Sequence, residues 1–193
     1  MARDICLKCQ RPQKACICHC VYAVETPLNI AFLQHPSEVK ETKGTAWLAH
    51  MCLTHSQFWV GEVFEDEHPL WYWLKAFNHV SILYPQTEGF QGAIVEAAHL
   101  PTHSAVLIVD GTWRKTRKML YLNPRLAEFS RVQIHPETPS EYQIRKEPSA
   151  QSLSTMEASA QLLKEYGDVQ ASNHLKHSFK EFIAFQKRFW PIS

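Results

Sequence analysis

The segment at residues 106–118 constrains the fold of this chain most. It begins with four consecutive apolar residues, three of them β-branched, and runs directly into Asp110, Gly111 and Thr112. A short apolar run of this kind is typical of a strand that is buried on both faces of a parallel sheet. A basic stretch with helical spacing follows, so the segment predicts a strand, a loop and a helix. In open α/β sheets, ligands bind at this type of junction.

The composition is that of an ordinary globular protein. Of the 193 residues, 45% are hydrophobic and 20% are charged, which is enough for one α/β domain with a small appendage. No apolar run approaches the roughly 18 residues that a membrane-spanning helix needs, and the N-terminal segment lacks the apolar core of a secretion signal. We therefore expect a cytoplasmic protein that does not associate with a membrane.

Five of the six cysteines lie within the first 20 residues. Cys6 and Cys9, followed by Cys16 and Cys18, offer four thiols from two short knuckles, as tetrahedral Zn²⁺ requires. Four cysteine ligands leave no open coordination position, so this zinc would be structural. A disulfide or a redox pair is the alternative, although a reducing cytosol disfavours disulfides. Cys20 could replace Cys18 as a ligand.

Polar residues follow two further predicted strands. The apolar run at residues 28–33 ends in Gln34, His35 and Pro36, and a similar run at residues 80–85 also ends in a proline. A helix is predicted at residues 45–55 and a strand at residues 58–60. His35 could act as an acid or base or contact a phosphate, or it could simply be a loop residue.

A local excess of basic residues accompanies the central junction. Residues 110–146 contain eight Lys and Arg against four Asp and Glu, although the net charge of the chain is only +1. In the helix predicted at residues 112–122, Arg114, Arg117 and Lys118 share one face because they are three and four positions apart. Such a face could bind an anionic polymer or could simply be solvated. The aromatic run at residues 71–73 is more typical of core than of base stacking.

Two helices are predicted near the C-terminus. Ser154 and Glu157 have the spacing of a capping box, and Gly167 would end the helix that they begin. The start of that helix could alternatively hold an anion. An amphipathic helix at residues 174–189 would cover the core, and it leaves the oligomeric state open. Residues 88–103 are predicted to be a loop or lid.

The chain resembles the DTW-domain family of tRNA-uridine aminocarboxypropyltransferases. The resemblance extends over about residues 6–160, and its motifs occur in the family's order. They are Cys6-x2-Cys9 with Arg11-Pro12 and Cys16-x-Cys18; Leu33-Gln34-His35-Pro36-Ser37-Glu38; Leu83-Tyr84-Pro85; Asp110-Gly111-Thr112-Trp113-Arg114-Lys115 with Arg117-Lys118 and Asn123-Pro124; Tyr142-x-Ile144-Arg145-Lys146; and Leu153-Ser154-Thr155-Met156-Glu157-Ala158. The sequence departs from the pattern at Gly44-Thr45, where Asn-Thr is expected, and at the additional Cys20.

The resemblance implies a fold and a reaction. The fold would be SPOUT-like α/β, a mostly parallel sheet with helices on both faces and a C-terminal trefoil knot. A zinc-binding knuckle would occupy residues 1–24 and the catalytic domain residues 25–193. The reaction would transfer the 3-amino-3-carboxypropyl group of S-adenosylmethionine to the imide nitrogen of a tRNA uridine, with release of methylthioadenosine.

Roles for individual residues follow from this resemblance. Asp110 would be the general base, although an acid there could instead cap the following helix. The predicted cosubstrate contacts are Leu83, Tyr84, Pro85, Asp110, Gly111, Thr112, Trp113, Leu153, Ser154 and Thr155, with core packing as the alternative for Trp113. The predicted tRNA contacts are Lys8, Arg11, His35, Arg114, Arg117, Lys118, Arg145 and Lys146.

Two other functions would use the same features. One is a zinc-dependent RNA-binding module without catalysis, and the other is a SPOUT-type methyltransferase that uses the same cosubstrate. A binding module does not need an acid at a strand end beside ligand-type loops. The methyltransferase would release adenosylhomocysteine, so analysis of the products distinguishes it.

Overall fold

A fully parallel sheet organises the chain. The computed structural model describes residues 4–85, 92–136 and 153–189, and in these ranges six strands form one sheet. The strands are β1 (Asn29–Gln34), β2 (Gln57–Val60), β3 (Val80–Leu83), β4 (Ile94–Glu96), β5 (Ala105–Asp110) and β6 (Ser130–Gln133). Their order is β2-β1-β5-β3-β6-β4, and every neighbouring pair is parallel. All the carboxyl ends therefore lie at one edge of the sheet.

Helices cover both faces of this sheet. They are α1 (Ala46–Cys52), α2 (Pro69–Leu74), α3 (Trp113–Leu122), α4 (Pro124–Ala127), α5 (Thr155–Tyr166) and α6 (Val169–Lys187). Ile30 and Phe32 of β1 pack in a core with α1, α5 and α6. Ala31 and Leu33 alternate with them and pack on the other face with α2, α3 and α4. The predicted α/β class with helices on both faces is confirmed.

The two central strands, β1 and β5, lead to opposite faces. The helix after β1, α1, packs on one face, whereas the helix after β5, α3, packs on the other. The two connections therefore diverge, so the region outside the carboxyl ends of these neighbouring strands, which we call the crevice, is the switch point of the sheet. In open α/β sheets, such a switch point is the usual ligand site.

The N-terminus of α5 shows the predicted capping box. The Ser154 side chain accepts a hydrogen bond from the backbone N–H of Glu157, whose carboxylate accepts one from the backbone N–H of Ser154. At the other end, Gly167 adopts φ +101°, a conformation that glycine reaches without a steric penalty. The capping interpretation of Ser154 is therefore confirmed.

Two boundaries differ from prediction. Residues 94–96 form strand β4 inside the segment predicted to be a loop, so that prediction is wrong there. The last helix begins at Val169, earlier than predicted, because the Asp168 carboxylate accepts a hydrogen bond from Ala171 and caps it. The knot prediction depends on the path of residues 137–152, which lie outside the described residues. Within the described ranges, no helix combines the length and the apolar character that crossing a membrane requires.

Candidate functional site

Asp110 lies at this switch point, at the end of a central strand, and is 4% exposed. It is the last residue of β5, and the sheet register places it opposite Gln34, the last residue of β1. One carboxylate oxygen accepts a hydrogen bond from Gln34 Nε2 at 2.9 Å, and the other accepts one from Thr155 Oγ1 at 2.5 Å. An ionised carboxylate is acceptor-only, so both donors suit the charged form. Three segments distant in the chain thus meet at one acid.

The N-cap residue of α3 is Thr112. Both described side-chain hydrogen bonds of Asp110 run instead to β1 and to the start of α5. These two contacts orient the carboxylate from outside α3, while its roles as general base or as a cap of this helix both stay predictions.

Residues from neighbouring loops surround Asp110. Tyr84, which follows β3, is 6% exposed, and its hydroxyl lies 3.5 Å from Thr116 Oγ1. At Gly111, a Cβ atom would lie 3.4 Å from Lys115 and 3.5 Å from His35. Both are ordinary van der Waals distances, so Gly111 lies closely between these two side chains. The structure brings the predicted segments at residues 83–85, 110–113 and 153–155 to the same edge of the sheet.

The first turn of α5 is anchored to the rest of the domain. Thr45 is 3% exposed, and its hydroxyl accepts a hydrogen bond from the backbone N–H of Met156 at 3.2 Å. Together with the Ser154 cap, this satisfies two of the amides that a helix N-terminus leaves without an intrahelical partner. Thr45 follows the Gly44 at which the sequence departs from the family pattern.

A hydrogen-bonded triad borders the crevice on the β1 side. His35 Nε2 lies 3.0 Å from Glu62 Oε1, and Lys118 Nζ lies 2.9 Å from the same oxygen. His35 Nδ1 accepts from the backbone N–H of Ser37. Hydrogen bonds from Lys118 and then His35 lower the pKa of Glu62. Lys118 therefore forms an ion pair with Glu62. Its ammonium group is less available to a phosphate than one that only water solvates.

The predicted basic face of α3 points to solvent. Arg114, Arg117 and Lys118 are all exposed. Trp113 is 50% exposed and its ring meets the Tyr84 ring edge-on at 5.8 Å, so core packing is wrong for Trp113. Arg145 and Lys146, two further basic residues predicted to contact RNA, lie outside the described residues.

Four cysteine sulfurs converge near the N-terminus. The Sγ atoms of Cys6, Cys9, Cys16 and Cys18 all lie within 4.8 Å of one another. The distances are 3.6 Å between Cys6 and Cys18 and 3.8 Å between Cys9 and Cys16. Four thiolates about 2.3 Å from a tetrahedral ion would stand about 3.8 Å apart. The quartet can therefore hold a metal ion.

The other thiols are separate from this quartet. All six cysteines are free, so the disulfide alternative is wrong. Cys20 is fully buried, and its sulfur lies 3.4 Å from His19 Nε2 and outside the quartet. Backbone N–H groups of Cys9 and Lys8 donate to Cys6 and lower the pKa of its thiol to about 6, whereas burial raises the pKa of the Cys18 thiol to about 12.

The two basic residues predicted to contact RNA from the knuckle differ in their surroundings. Arg11 donates to the backbone carbonyls of Thr42 and Gly44 at 2.9 and 3.3 Å, and its guanidinium lies over the Phe182 ring. It therefore fastens the knuckle to the domain. Lys8 is exposed at the tip of the knuckle and remains the better candidate for a phosphate contact.

Glu62 and Asn123 were given no role in the site by the sequence, and Gln34 was identified only as a polar residue at a strand end. Asn123 is 4% exposed, accepts from the backbone N–H of Phe64 and donates to the carbonyls of Glu62 and Met119. It thereby fixes the loop that carries Glu62. Asn123 belongs to the Asn-Pro motif, which could have singled it out, whereas Glu62 lies in an acidic segment with no local pattern.

Comparison with known proteins gives one family. A family model described as DTW domain matches residues 3–187. Curated relatives named tRNA-uridine aminocarboxypropyltransferase 2 include those of Macaca fascicularis, 32% identical over 82% of this chain and 55% of the relative, and Mus musculus, 31% identical over the same shares. The relative from Drosophila melanogaster is 29% identical over 83% of this chain and 66% of its own length. The chain thus spans about half the length of the two mammalian relatives. No solved structure matches.

Proposed function

Because the chain belongs to the DTW domain family, we propose that it is a tRNA-uridine aminocarboxypropyltransferase, the activity that the names of its relatives state. The cosubstrate is S-adenosylmethionine and the acceptor is the imide nitrogen of a uridine. The observation that carries the proposal is the buried, doubly hydrogen-bonded Asp110 at the switch point of the sheet.

The proposed reaction is a displacement at carbon. The uracil imide nitrogen attacks the carbon next to the sulfonium, a carbon–nitrogen bond forms, and the carbon–sulfur bond breaks with its electron pair going to sulfur. Methylthioadenosine leaves, and Asp110 accepts the imide proton. The leaving group is already good, so alignment of the two substrates supplies much of the rate.

Asp110 needs help as a base. The carboxylate is a much weaker base than the uracil anion, so a nearby cation must stabilise that anion as it forms. Arg114 stands four residues after Asp110, in the first turn of α3, and is proposed for this role. Arg145 is the alternative and lies outside the described residues. Gln34 and Thr155 orient the carboxylate.

The cosubstrate is proposed to lie across the strand ends. Gly111 allows close approach of the backbone, and Tyr84 and Trp113 offer an aromatic corner for the adenosine moiety. Leu83, Pro85, Thr112 and Leu153 complete the proposed lining. The Ser154 hydroxyl already accepts a hydrogen bond within the chain, and the Thr155 hydroxyl already donates one. Contacts of residues 153–155 with the cosubstrate are therefore proposed for the remaining polar groups of this segment.

Zinc in the cysteine quartet is proposed to be structural. Four sulfur ligands satisfy tetrahedral coordination and leave no position for a substrate. The division into a knuckle at residues 1–24 and a catalytic domain at residues 25–193 is proposed likewise. Ile17 and Cys20 are buried in the same core cluster as α5 and α6, so the metal would stabilise the packing of the knuckle on the domain.

The SPOUT-like class and the C-terminal knot are proposed for the fold. The position of α5 supports this proposal. Strand β6 lies next to the edge strand β4, whereas α5, the next described helix, begins beside Asp110 at the centre of the sheet. tRNA is the proposed partner, with Lys8 and Arg117 contacting phosphates and Arg114 contacting the target uracil.

An isotope experiment tests the function. tRNA is incubated with the protein and S-adenosylmethionine that carries the label either in the aminocarboxypropyl carbons or in the methyl group, and its nucleosides are analysed by mass spectrometry. We expect only the first label to appear, on uridine. Methyl label in the RNA would establish a methyltransferase, and absence of both labels would leave the RNA-binding module as the function.

A further inference from the structure

The solvent face of α3 carries aromatic and basic residues in alternation. Trp113, Arg117 and Tyr121 are each four residues apart, so they form one row along the helix. Arg114 and Lys118 form a second row beside it. The side of the helix that faces away from the second row buries Thr116, Met119 and Leu120. The packing of α3 in the domain thus uses one side only.

The aromatic rings in this row are unusually open to solvent. Tyr121 is 80% exposed and Trp113 is 50% exposed, whereas Met119 and Leu120 on the same helix are at most 1% exposed. Single exposed aromatic residues need no explanation. Two of them in one row, with an arginine between them and cations alongside, match the surfaces that bind single-stranded nucleic acid, where bases stack on rings and phosphates meet cations.

The position of the row connects it to the crevice. Trp113 stands three residues after Asp110 and touches the Tyr84 ring. Tyr121 lies eight residues further, about 12 Å along the helix axis. A strand with its reactive base at Asp110 can therefore continue along α3 and reach Tyr121 with a neighbouring nucleotide.

We propose that this face of α3 is the docking surface for the single-stranded nucleotides next to the target uridine, and that Tyr121 stacks on one of their bases. The inference rests on the proposed function, since it names the part of the RNA that the face holds. Arg117 neutralises a phosphate and Arg114 faces the target uracil, whereas Lys118 contributes less because it is bound to Glu62 at 2.9 Å.

A second copy of the chain fits this face poorly. In a two-fold dimer the same patch meets itself, which would place Arg114, Arg117 and Lys118 against their own counterparts. Like charges in such an interface repel. A polyanion has the complementary charge.

Binding of total tRNA, measured at several salt concentrations, tests the proposal. We expect Tyr121→Ala to weaken binding roughly 5- to 150-fold, the usual effect of losing one base stack, with the salt dependence unchanged. Tyr121→Phe keeps the ring and should bind within about twofold of the unchanged protein. Arg117→Ala should weaken binding and reduce the slope of log affinity against log salt by about 0.7–0.9, one phosphate contact.

Tyr72 on α2 provides the matched control. It is also an exposed tyrosine, at 62%, and Tyr72→Ala should leave tRNA binding unchanged. The inference fails if Tyr121→Ala binds tRNA as the unchanged protein does, or if Tyr121→Phe loses as much affinity as Tyr121→Ala. It also fails if sedimentation shows a dimer that Tyr121→Ala dissociates. When the unchanged protein binds tRNA and forms the product, any of these variant results refutes the inference alone. When the unchanged protein does neither, the proposed function fails together with the inference.

Discussion

At the scale of single residues, the proposed function depends most on Asp110. Its carboxylate is buried and bonded on both oxygens, an arrangement with a desolvation cost that packing alone does not explain. Its neighbours Gly111 and Thr112 lead into a helix with an exposed basic face. A carboxylate beside that face can take a proton from a nucleobase that the cations hold in place.

Replacement of this acid should separate binding from chemistry. Asp110→Asn keeps the shape and can still accept from Thr155, but it loses the charge and the basic oxygen. We expect transfer to fall by at least 10²-fold while the affinity for tRNA changes little. Steady-state kinetics and tRNA binding measured on the same preparations check this, and an equal loss in both would make Asp110 a structural residue.

Thr155 should act as a positioning residue. Thr155→Val removes the hydroxyl that donates to Asp110 and keeps the side-chain volume, so the carboxylate loses one of its two described donors. We expect kcat to fall about 10-fold or more, consistent with a misplaced base, with KM for tRNA little changed. Thr155→Ser retains the donor and should restore kcat. Loss of kcat in both variants would show that the methyl group matters and the hydrogen bond does not.

At the scale of elements, the knuckle and helix α1 each lead to a separate prediction. The knuckle has little internal core and packs through Ile17 and Cys20 on α6 and its neighbours. A structural metal supplies folding free energy to such a segment.

Removal of one sulfur should release the metal. Cys16→Ser breaks the quartet, and we expect zinc measured by plasma mass spectrometry to fall from about one per chain to well below half, with a lower melting temperature. Cys20→Ser is the matched control, because Cys20 lies outside the quartet. Loss of zinc from Cys20→Ser with full zinc in Cys16→Ser would contradict the ligand set.

The pH dependence of stability should report on His50. This histidine of α1 lies among Phe32, Trp47 and Phe58, and burial lowers its pKa from 6.5. The unfolded chain therefore binds the proton more readily than the native state, so the free energy of unfolding falls as the pH drops below about 6.5. In His50→Gln, that fall between pH 8 and pH 5.5 should be smaller when measured by urea denaturation. His55→Gln, at an exposed position, should leave it unchanged; equal curves for all three proteins would exclude the effect.

The accuracy of the sequence predictions differed among elements for physical reasons. Strands β1, β3 and β5 and helix α3 have strong local signals, namely apolar runs and helical spacing with defined ends, and all were predicted. Strand β4 was not, because three residues at the sheet edge carry too little periodicity and depend on pairing with β6.

At the scale of the whole molecule, the sheet order brings the site together. Asp110 and the loops around it follow from motifs in the sequence, but Gln34 becomes a partner of Asp110 only through the β1–β5 register. Glu62 meets His35 and Lys118 only because Asn123 fixes its loop from another element. Such long-range pairings leave no local pattern, so the sequence could indicate the edge of the sheet and not the contacts at it.

The most direct test of the central claim is the small-molecule product. Protein, tRNA and S-adenosylmethionine are incubated, and the released adenosine thioethers are quantified by liquid chromatography together with modified uridine. We expect methylthioadenosine and modified uridine in equal amounts, both dependent on tRNA and both absent with Asp110→Asn. Release of adenosylhomocysteine, or no tRNA-dependent release of either thioether, would contradict the proposed transfer.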